Sequence, residues 1–328
     1  MLLSPMDIAA PSASWHQIVE PRLSEARVEL WLYCQTMAEP MLSGNKWMKL
    51  QYHIKLIQQQ QYRGLVTFGG PFSNHLAACA AVAKLNKINA IAYVRTDNID
   101  LNNPTLAYCQ GQGMQLIAID RQTYRQRQQQ TFLGLITKRH PDHLLVPEGG
   151  SSVLGAQGIA DLNLTDTPAG RADVIATASA SGGTVAGLIM AASRASPAAN
   201  AVKEVIGLAV VNDDALTEKI TVLLKTADVK SFPWRIITTA AEHRYAKCPQ
   251  QHIDFCCQFT KQHGIAVEPV YTGRALYKLY QMIGAGEFAP GSRISFFHTG
   301  GLQGVAGLRY RDLINPQQYR LLSSTKAG

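Results

Sequence analysis

The sequence predicts an α/β fold built on parallel sheets. Short apolar runs rich in Val and Ile alternate with turns of small residues and then with segments of helical periodicity. Such alternation is typical of strands joined by crossover helices, which pair in parallel. The chain has 328 residues, of which 46% are hydrophobic and 16% charged. This is a globular composition at a length that favours two domains over one core.

The expected elements follow one another along the chain. The stretch LSGNKWMKL, residues 42–50, places a polar turn before a helix. GLVTFGG precedes the helical SNHLAACAAVAKL, NAIAYVR precedes NPTLAYCQG, and MQLIAID precedes a long polar helix. DVIATASASGG then precedes TVAGLIMAAS, EVIGLAVV precedes DDALTEKITVLLK, and SRISFFHTGG closes the series. The glycine-rich PEGGSSVLGAQG, residues 147–158, is the candidate crossover between domains.

Charge and composition argue against several classes of function. The net charge is +8, but Lys and Arg form no block, and nucleic-acid binding needs a clustered basic footprint. No run is apolar enough for a membrane span. The six cysteines include no CxxC pair, so disulfides are not expected and a cytoplasmic location is. The histidines lack metal-ligand spacing, so no metal site is expected.

The residues that follow the apolar runs are the candidates for ligand binding. In open parallel sheets, ligands bind at the carboxyl ends of the strands. The residues at these places are all small, hydroxylated, amide-bearing or imidazole side chains: Ser73-Asn74-His75, Gly149-Gly150-Ser151, Ser181-Gly182-Gly183-Thr184 and His298-Thr299-Gly300-Gly301. None of them is a carboxylate, which disfavours a metal site or an acid pair of the glycosidase type.

Two of these turns have a specific chemical interpretation. In ASASGGTVAG, residues 178–187, glycine N–H groups, the Ser181 and Thr184 hydroxyls and a helix N-terminus form an anion cradle suited to a phosphate monoester. In the second turn, Asn74 offers a donor and an acceptor, and Ser73 a hydroxyl. The alternative for both turns is an ordinary strand–helix turn with a capped helix.

Lys46 is the candidate nucleophile. At the first turn of a helix, the macrodipole disfavours the ammonium form, and a lysine with a lowered pKa can form a Schiff base with a carbonyl cofactor. Gly44 permits a sharp turn that aims Lys46 inward. Lys49 and Lys55, further along the helix, are expected to be ordinary surface lysines. A nucleophilic lysine, a phosphate cradle and an amide-bearing loop together fit pyridoxal phosphate.

These segments resemble the fold-type-II pyridoxal-phosphate enzymes, specifically the D-cysteine desulfhydrase and 1-aminocyclopropane-1-carboxylate deaminase family. Six segments occur in the family order: GNKWMKL, SNHLAACAAVAK, PEGGSSVLGAQG, ASASGGTVAGL, VEPVYTGRAL and FFHTGG. The resemblance implies a tryptophan-synthase-beta-like fold, with two open twisted parallel-sheet domains and the cofactor in the interdomain cleft. A large cofactor-binding domain would comprise residues 1–46 and 151–328, and a small α/β domain residues 47–150. It also implies a homodimer.

The resemblance implies roles for individual residues. Lys46 would bond covalently to the cofactor aldehyde and Asn74 would bind the ring hydroxyl. Further cofactor contacts are implied at Ser181, Gly182, Gly183, Thr184, Thr272 and Thr299, the last of these near the pyridine nitrogen. The substrate would be bound by one loop and two tyrosines: Ser73, Asn74, His75, Tyr245 and Tyr271. Both tyrosines are implied to be catalytic residues, together with Lys46 and Ser73. Of these, Ser73 would bind the substrate carboxylate or take part in proton transfer.

One position favours a reaction within the family. Deaminases of the family resemble VYEG, with Glu directly after the tyrosine. This chain reads VYTG and has Thr272 at that position, as the D-cysteine desulfhydrases do. The implied reaction is an α,β-elimination on a small amino acid that gives pyruvate and ammonia. Cyclopropane deamination, racemisation, β-replacement and a non-catalytic cofactor-binding role remain alternatives. Tyr33-Cys34-Gln35-Thr36 departs from the Lys-Arg-Asp-Asp that is usual in the family.

Overall fold

The computed structural model describes residues 11–195, 202–238 and 248–324. The strands in these ranges are β1 (Ser12–Ile18), β2 (Glu29–Thr36), β3 (Gly64–Gly69), β4 (Asn89–Arg95), β5 (Gln115–Ile119), β6 (His143–Leu145), β7 (Asp166–Thr167), β8 (Gly170–Arg171), β9 (Val174–Ser179), β10 (Glu204–Ala209), β11 (Trp234–Thr238) and β12 (Arg293–His298).

The helices of the same ranges are α1 (Pro21–Ala26), α2 (Asn45–Gln59), α3 (Asn74–Leu85), α4 (Pro104–Gly111), α5 (Arg121–Arg125), α6 (Gln130–Arg139), α7 (Val153–Ala160), α8 (Gly183–Ala195), α9 (Leu216–Thr226), α10 (Gln250–His263), α11 (Thr272–Gly284), α12 (Gly304–Tyr310) and α13 (Pro316–Ser323). None of them is long and apolar enough to cross a membrane.

Two open sheets dominate the fold, as the family resemblance implies, and β7 and β8 form a separate antiparallel pair. The larger sheet has the order β1-β2-β12-β9-β10-β11, and the smaller has the order β5-β4-β3-β6. Within these two sheets all neighbours are parallel except β1, which pairs antiparallel with β2 at the edge of the larger sheet. Every residue of β3 and of β9 is buried, because helices cover both faces of a parallel sheet. Where the domains divide along the chain stays a prediction.

One expected helix is two helices in the structure. The long polar helix predicted after β5 is wrong, since α5 ends at Arg125 and α6 begins at Gln130. Asp120 caps α5 by accepting the N–H groups of Gln122 and Thr123. The two helices bury only Tyr124 and Ile136, and a glutamine-rich segment with so little packed surface has little to hold it in one continuous helix.

Helices α2, α7 and α8 meet through glycines. A β-carbon at Gly158 of α7 would overlap the Met48 carbonyl oxygen of α2, and one at Gly187 of α8 would overlap the Ala156 carbonyl oxygen of α7. Backbone approaches this close are open only to glycine. The junction therefore fixes α2, which carries Lys46, relative to the turn that begins α8.

We expect Gly158→Ala to lower the free energy of unfolding by about 1–3 kcal/mol, because the added methyl group forces α2 and α7 apart. The matched control is Gly134→Ala in the middle of α6, where a β-carbon meets nothing within 4 Å. That change should be neutral or stabilising by up to about 1 kcal/mol. Urea unfolding of both variants measures the difference, and equal effects would show that the junction is not tightly packed.

Candidate active site

The Lys46 turn is clamped between the ends of β2 and β12, which are neighbouring strands of the larger sheet. Gly44 has a positive φ of 68°, and its N–H donates to the Gln35 carbonyl at the end of β2 at 2.8 Å. The next N–H, of Asn45, donates to the Thr299 carbonyl just after β12 at 3.3 Å. A β-carbon at Gly44 would overlap the Thr299 backbone. The sharp turn predicted at Gly44 is therefore present, and only glycine fits it.

The Lys46 amine points back into this turn. It donates to the Asn45 side-chain oxygen and, at 3.4 Å, to the Thr299 carbonyl oxygen. Burial lowers the pKa of Lys46 to about 8, while the charge of Glu268 opposes the shift. The sequence pointed to the helix dipole as the cause of a lowered pKa, whereas the structure gives desolvation as the main one. A substantial neutral fraction is thus available near pH 8.

The prediction that Lys49 is a surface lysine is wrong. The residue is only 4% exposed, whereas Lys55 is exposed as expected. Its Nζ donates to Ser151 Oγ at 3.2 Å, and no carboxylate lies within ion-pair distance of it in the described part of the chain. Burial lowers the pKa of Lys49 to about 7, and the charge of Lys46 adds to the effect. The three-residue spacing from Lys46 was the available signal, since it places both on one helix face.

Lys49 faces the predicted anion cradle. The Ser151 and Ser181 hydroxyls lie 2.6 Å apart, which brings the turn after β6 against the turn after β9. A β-carbon at Gly183 would lie 2.7 Å from Ser151 Oγ and 3.1 Å from Lys49 Cε. Glycine at the start of α8 thus keeps backbone N–H groups, hydroxyls and an ammonium close together, and Gly182 precedes it with a φ of 85°.

Thr184 is joined to the lysine turn. Its Oγ1 accepts a hydrogen bond of 2.9 Å from Asn45 Nδ2. Both side chains are buried. The predicted cradle residue Thr184 therefore contacts the neighbour of Lys46, and the nucleophile and the cradle form one site.

The loop after β3 contributes Ser73 and Asn74. Ser73 caps α3, with its Oγ accepting the Leu76 N–H at 3.3 Å. Asn74 is buried, and a β-carbon at Gly301 would lie 2.8 Å from its Nδ2. Within the described residues the Asn74 side chain has no hydrogen-bond partner, so a buried amide beside the turn after β12 has both donor and acceptor free.

His75 has its contacts inside the smaller sheet. Its Nε2 lies 2.8 Å from Thr67 Oγ1, and the Thr67 hydroxyl donates to the Val146 carbonyl at 2.8 Å. His75 Nε2 must therefore be the donor to Thr67. Burial holds the pKa of His75 well below its ordinary value. The structure does not place this imidazole with the other predicted substrate residues, and its role in substrate binding stays a prediction.

Two threonine side chains contact each other beside the carbonyl group that binds Lys46. Thr272 Oγ1 and Thr299 Oγ1 lie 3.1 Å apart, and both residues are buried. Tyr271 immediately precedes α11 and is partly buried. The structure thus brings the predicted Thr272 and Thr299 into contact next to the carbonyl that binds Lys46. Tyr245, the second predicted tyrosine, lies outside the described residues.

Glu268 lies beside the site but was not among the predicted site residues. Its side chain is buried, and its oxygens accept the N–H groups of Val270, Tyr271 and Thr272 at 2.7–3.0 Å. Burial raises the pKa of Glu268 to about 7 in spite of these bonds. The predicted site residues follow apolar runs that were expected to be strands, whereas Glu268 follows only the short Ile265-Ala266-Val267. A carboxylate just before a helix start was the signal that could have found it.

Residues 33–36 of β2, which differ from the sequence usual in the family, lie against the turn that carries Lys46. Tyr33 packs on Trp15 and Phe297, with ring centroids 5.0 and 5.9 Å apart. Gln35 is buried and donates from Nε2 to Met48 Sδ at 3.4 Å. The side chains here are uncharged, with Tyr33 and Gln35 buried and Thr36 exposed, so this segment supports the turn through its backbone.

The chain belongs to the family of pyridoxal-phosphate dependent enzymes, which it matches over residues 18–300. The mitochondrial bifunctional D-cysteine desulfhydrase/1-aminocyclopropane-1-carboxylate deaminase of Arabidopsis thaliana is 26% identical, over 84% of this chain and 73% of that protein. D-cysteine desulfhydrase of Salmonella newport is 26% identical, over 86% of this chain and 89% of that protein. A solved structure described as an ACC deaminase homologue has the same fold, with a TM-score of 0.76 at 23% identity and coverage of 92% and 94%.

The residues of the site fit pyridoxal phosphate, which is the cofactor of this enzyme. A buried ammonium without a carboxylate partner, next to hydroxyls and a helix start, requires an anion, and the phosphate supplies one. The unsatisfied amide of Asn74 suits a ring hydroxyl, and the partly neutral amine of Lys46 suits an aldehyde. Among the described residues, no group of His, Cys, Asp and Glu could hold a metal ion.

We expect Lys49→Met to weaken binding of pyridoxal phosphate at least about tenfold, because a charge-assisted bond to phosphate is lost. Lys55→Met, on the exposed side of the same helix, is the control and should leave the affinity unchanged. Titration of the cofactor-free variants with pyridoxal phosphate and with pyridoxal measures both affinities. If pyridoxal, which has no phosphate, loses as much affinity as the phosphate ester, Lys49 does not act on the phosphate.

Proposed function

We propose that this enzyme catalyses a pyridoxal-phosphate dependent α,β-elimination on a small amino acid, as a D-cysteine desulfhydrase does, giving pyruvate and ammonia. The observation that carries the proposal is the hydroxyl pair of Thr272 and Thr299, which are 3.1 Å apart beside the Lys46 turn. The names of the Salmonella and Arabidopsis relatives support the same class of reaction.

When bound, the cofactor supplies an aldehyde that bonds to amines and a ring that withdraws electrons from the α-carbon. The residues of this chain hold and orient it. Lys46 would bond to the aldehyde, Asn74 would bind the ring hydroxyl, and Thr299 would lie near the ring nitrogen. The phosphate would be held by Lys49 and by the cradle residues Ser181, Gly182, Gly183 and Thr184.

Lys46 is the better candidate for removal of the α-proton. Burial lowers the pKa of Lys46 to about 8, so the released amine is partly neutral and can accept a proton. The Ser73 hydroxyl already accepts the Leu76 N–H and keeps its own proton for donation. Ser73 therefore binds the substrate carboxylate, with Tyr271 lining the same place, and Lys46 acts as the base.

The hydroxyl pair also bears on the alternative reaction. A carboxylate next to the ring nitrogen would keep the pyridine protonated and make it a stronger electron sink, which a cyclopropane substrate requires. Glu268, the nearby carboxylate, binds three backbone N–H groups and makes no hydrogen bond to either threonine hydroxyl. Elimination of a good leaving group, such as a thiol, requires less electron withdrawal by the ring. Deamination of 1-aminocyclopropane-1-carboxylate is the second candidate, since the Arabidopsis relative is named for both activities.

We expect Lys46→Ala to remove the visible absorption band of the lysine-bound cofactor and to lower pyruvate release from D-cysteine by at least about 10²–10⁴-fold, because both the covalent anchor and the base are lost. Lys55→Ala should keep both the band and the activity. Absorption spectra before and after addition of D-cysteine, together with a pyruvate assay, measure the effect. Full pyruvate release by Lys46→Ala would refute the assignment of Lys46.

We expect the wild-type enzyme to form pyruvate from D-cysteine and no 2-oxobutyrate from 1-aminocyclopropane-1-carboxylate, because Thr272 and Thr299 would offer the ring nitrogen hydroxyls and no carboxylate. Chromatography of the keto acids, with chiral analysis of the remaining amino acid, separates elimination from deamination and from racemisation. Formation of 2-oxobutyrate at a rate similar to that of pyruvate would favour the deaminase. Inversion of the amino acid without any keto acid would favour a racemase.

A further inference from the structure

Glu268 is a buried carboxylic acid that has no role in the elimination reaction proposed above. It is 1% exposed and has no Lys, Arg or His within ion-pair distance in the described part of the chain. Burial of a carboxylate without a cationic partner is costly. A residue kept in that state at the edge of an active site needs an explanation.

The carboxylate organises the start of α11. Its Oε2 accepts the Val270 N–H at 2.7 Å, its Oε1 accepts the Thr272 N–H at 2.7 Å, and both oxygens lie 3.0 Å from the Tyr271 nitrogen. The first N–H groups of a helix have no partner within the helix, and here one side chain binds them. Tyr271 and Thr272, both predicted site residues, are thus fixed by the same carboxylate.

The same side chain adjoins the turn after β12. A β-carbon at Gly301 would lie 4.0 Å from Glu268 Cγ and 2.8 Å from Asn74 Nδ2. Thr272 Oγ1 in turn contacts Thr299 Oγ1 at 3.1 Å. Glu268 therefore lies behind the Tyr271–Thr272 turn, next to the residues that surround the Lys46 amine.

We propose that Glu268 is a positioning residue that presents Tyr271 and Thr272 to the active site and supplies the negative charge that faces the Lys46 amine. The charge of Glu268 raises the pKa of Lys46 against the effect of burial, and the charge of Lys46 lowers the pKa of Glu268. The two effects are reciprocal, as coupling between two titrating groups must be.

In the described part of the chain, the histidines and cysteines near this pair are neutral near pH 7. Burial lowers the pKa of His298 and, more strongly, that of His75. Burial raises the pKa of Cys248 to about 11 and that of Cys256 well above its ordinary value. The charge of Lys46 lowers the pKa of Lys49, as expected of two like charges.

One further cation lies on α11 itself. The Arg274 guanidinium donates to the Val210 carbonyl at 3.1 Å. Within the described residues, Glu268 is the carboxylate whose charge acts to keep Lys46 protonated.

The test measures the Lys46 amine in the full-length, cofactor-free protein. Reductive methylation with formaldehyde and cyanoborohydride reports the neutral amine, and peptide mass spectrometry resolves Lys46 across a pH series. The wild-type midpoint is expected near pH 8. Glu268→Gln should move it to lower pH and make methylation at pH 7 at least about threefold faster, because the opposite charge is gone. Glu268→Asp, which keeps the charge, should restore most of the wild-type midpoint.

Asp173→Asn is the matched control. Asp173 is a partly buried carboxylate that also accepts a backbone N–H, from Arg293 at 2.8 Å, but its charge does not act on Lys46. Loss of a structural hydrogen bond alone would lower stability in both variants without moving the Lys46 midpoint. An unchanged midpoint in Glu268→Gln would overturn the proposal.

A reciprocal measurement covers the case in which Glu268→Gln does not fold. In Lys46→Met, carbon-13 NMR of the glutamate carboxyl groups should show Glu268 titrating above its wild-type midpoint of about 7, and no movement would overturn the proposal. The inference rests on the proposed role of Lys46. Neither measurement uses an amino-acid substrate, so its failure and the failure of the elimination reaction are distinguishable.

Discussion

The backbone clamp on the Gly44–Asn45 turn is the constraint on which the active site depends. Gly44 binds the end of β2 through a 2.8 Å hydrogen bond, and Asn45 binds the turn after β12 through its N–H and the start of α8 through its side chain. Three separate segments thus fix the origin of Lys46. Any other residue at Gly44 meets both a positive φ and an overlap with the Thr299 backbone, so the position of the nucleophile is set before any ligand binds.

From this turn, helix α2 presents two buried amines to two different environments. Lys46 lies among carbonyl oxygens and within reach of the charge of Glu268, whereas Lys49 lies among hydroxyls at the start of α8. An ammonium without an acid partner is expensive to bury, so an anion bound near Lys49 would stabilise its charged form. The surroundings of Lys46 instead permit loss of the proton. In the proposed mechanism, one helix turn thus separates anion binding from proton transfer.

The sequence predicted the parts of the fold that follow from local patterns. Buried parallel strands such as β3 and β9 are continuous apolar runs, and the turns after them carry the hydroxyl and amide residues that the structure brings together. The antiparallel strand β1 was missed because its exposed positions give no apolar run. Lys49 and Glu268 were missed for another reason, since burial of a charged side chain depends on which elements pack over it. The spacing of Lys49 from Lys46 indicates a shared helix face, and the place of Glu268 before α11 indicates a cap, but neither local signal shows that the side chain is buried.

The uncharged segment of β2 is consistent with an intact site because its backbone does the positioning. The family usually has Lys-Arg-Asp-Asp where this chain has Tyr33-Cys34-Gln35-Thr36. The hydrogen bond that holds the lysine turn uses the Gln35 carbonyl, which every residue type provides. The Gln35 side chain contacts Met48 of α2, and Tyr33 packs between Trp15 and Phe297. Packing thus takes the place of charge in this segment, and the geometry at Gly44 does not depend on the missing ionic groups.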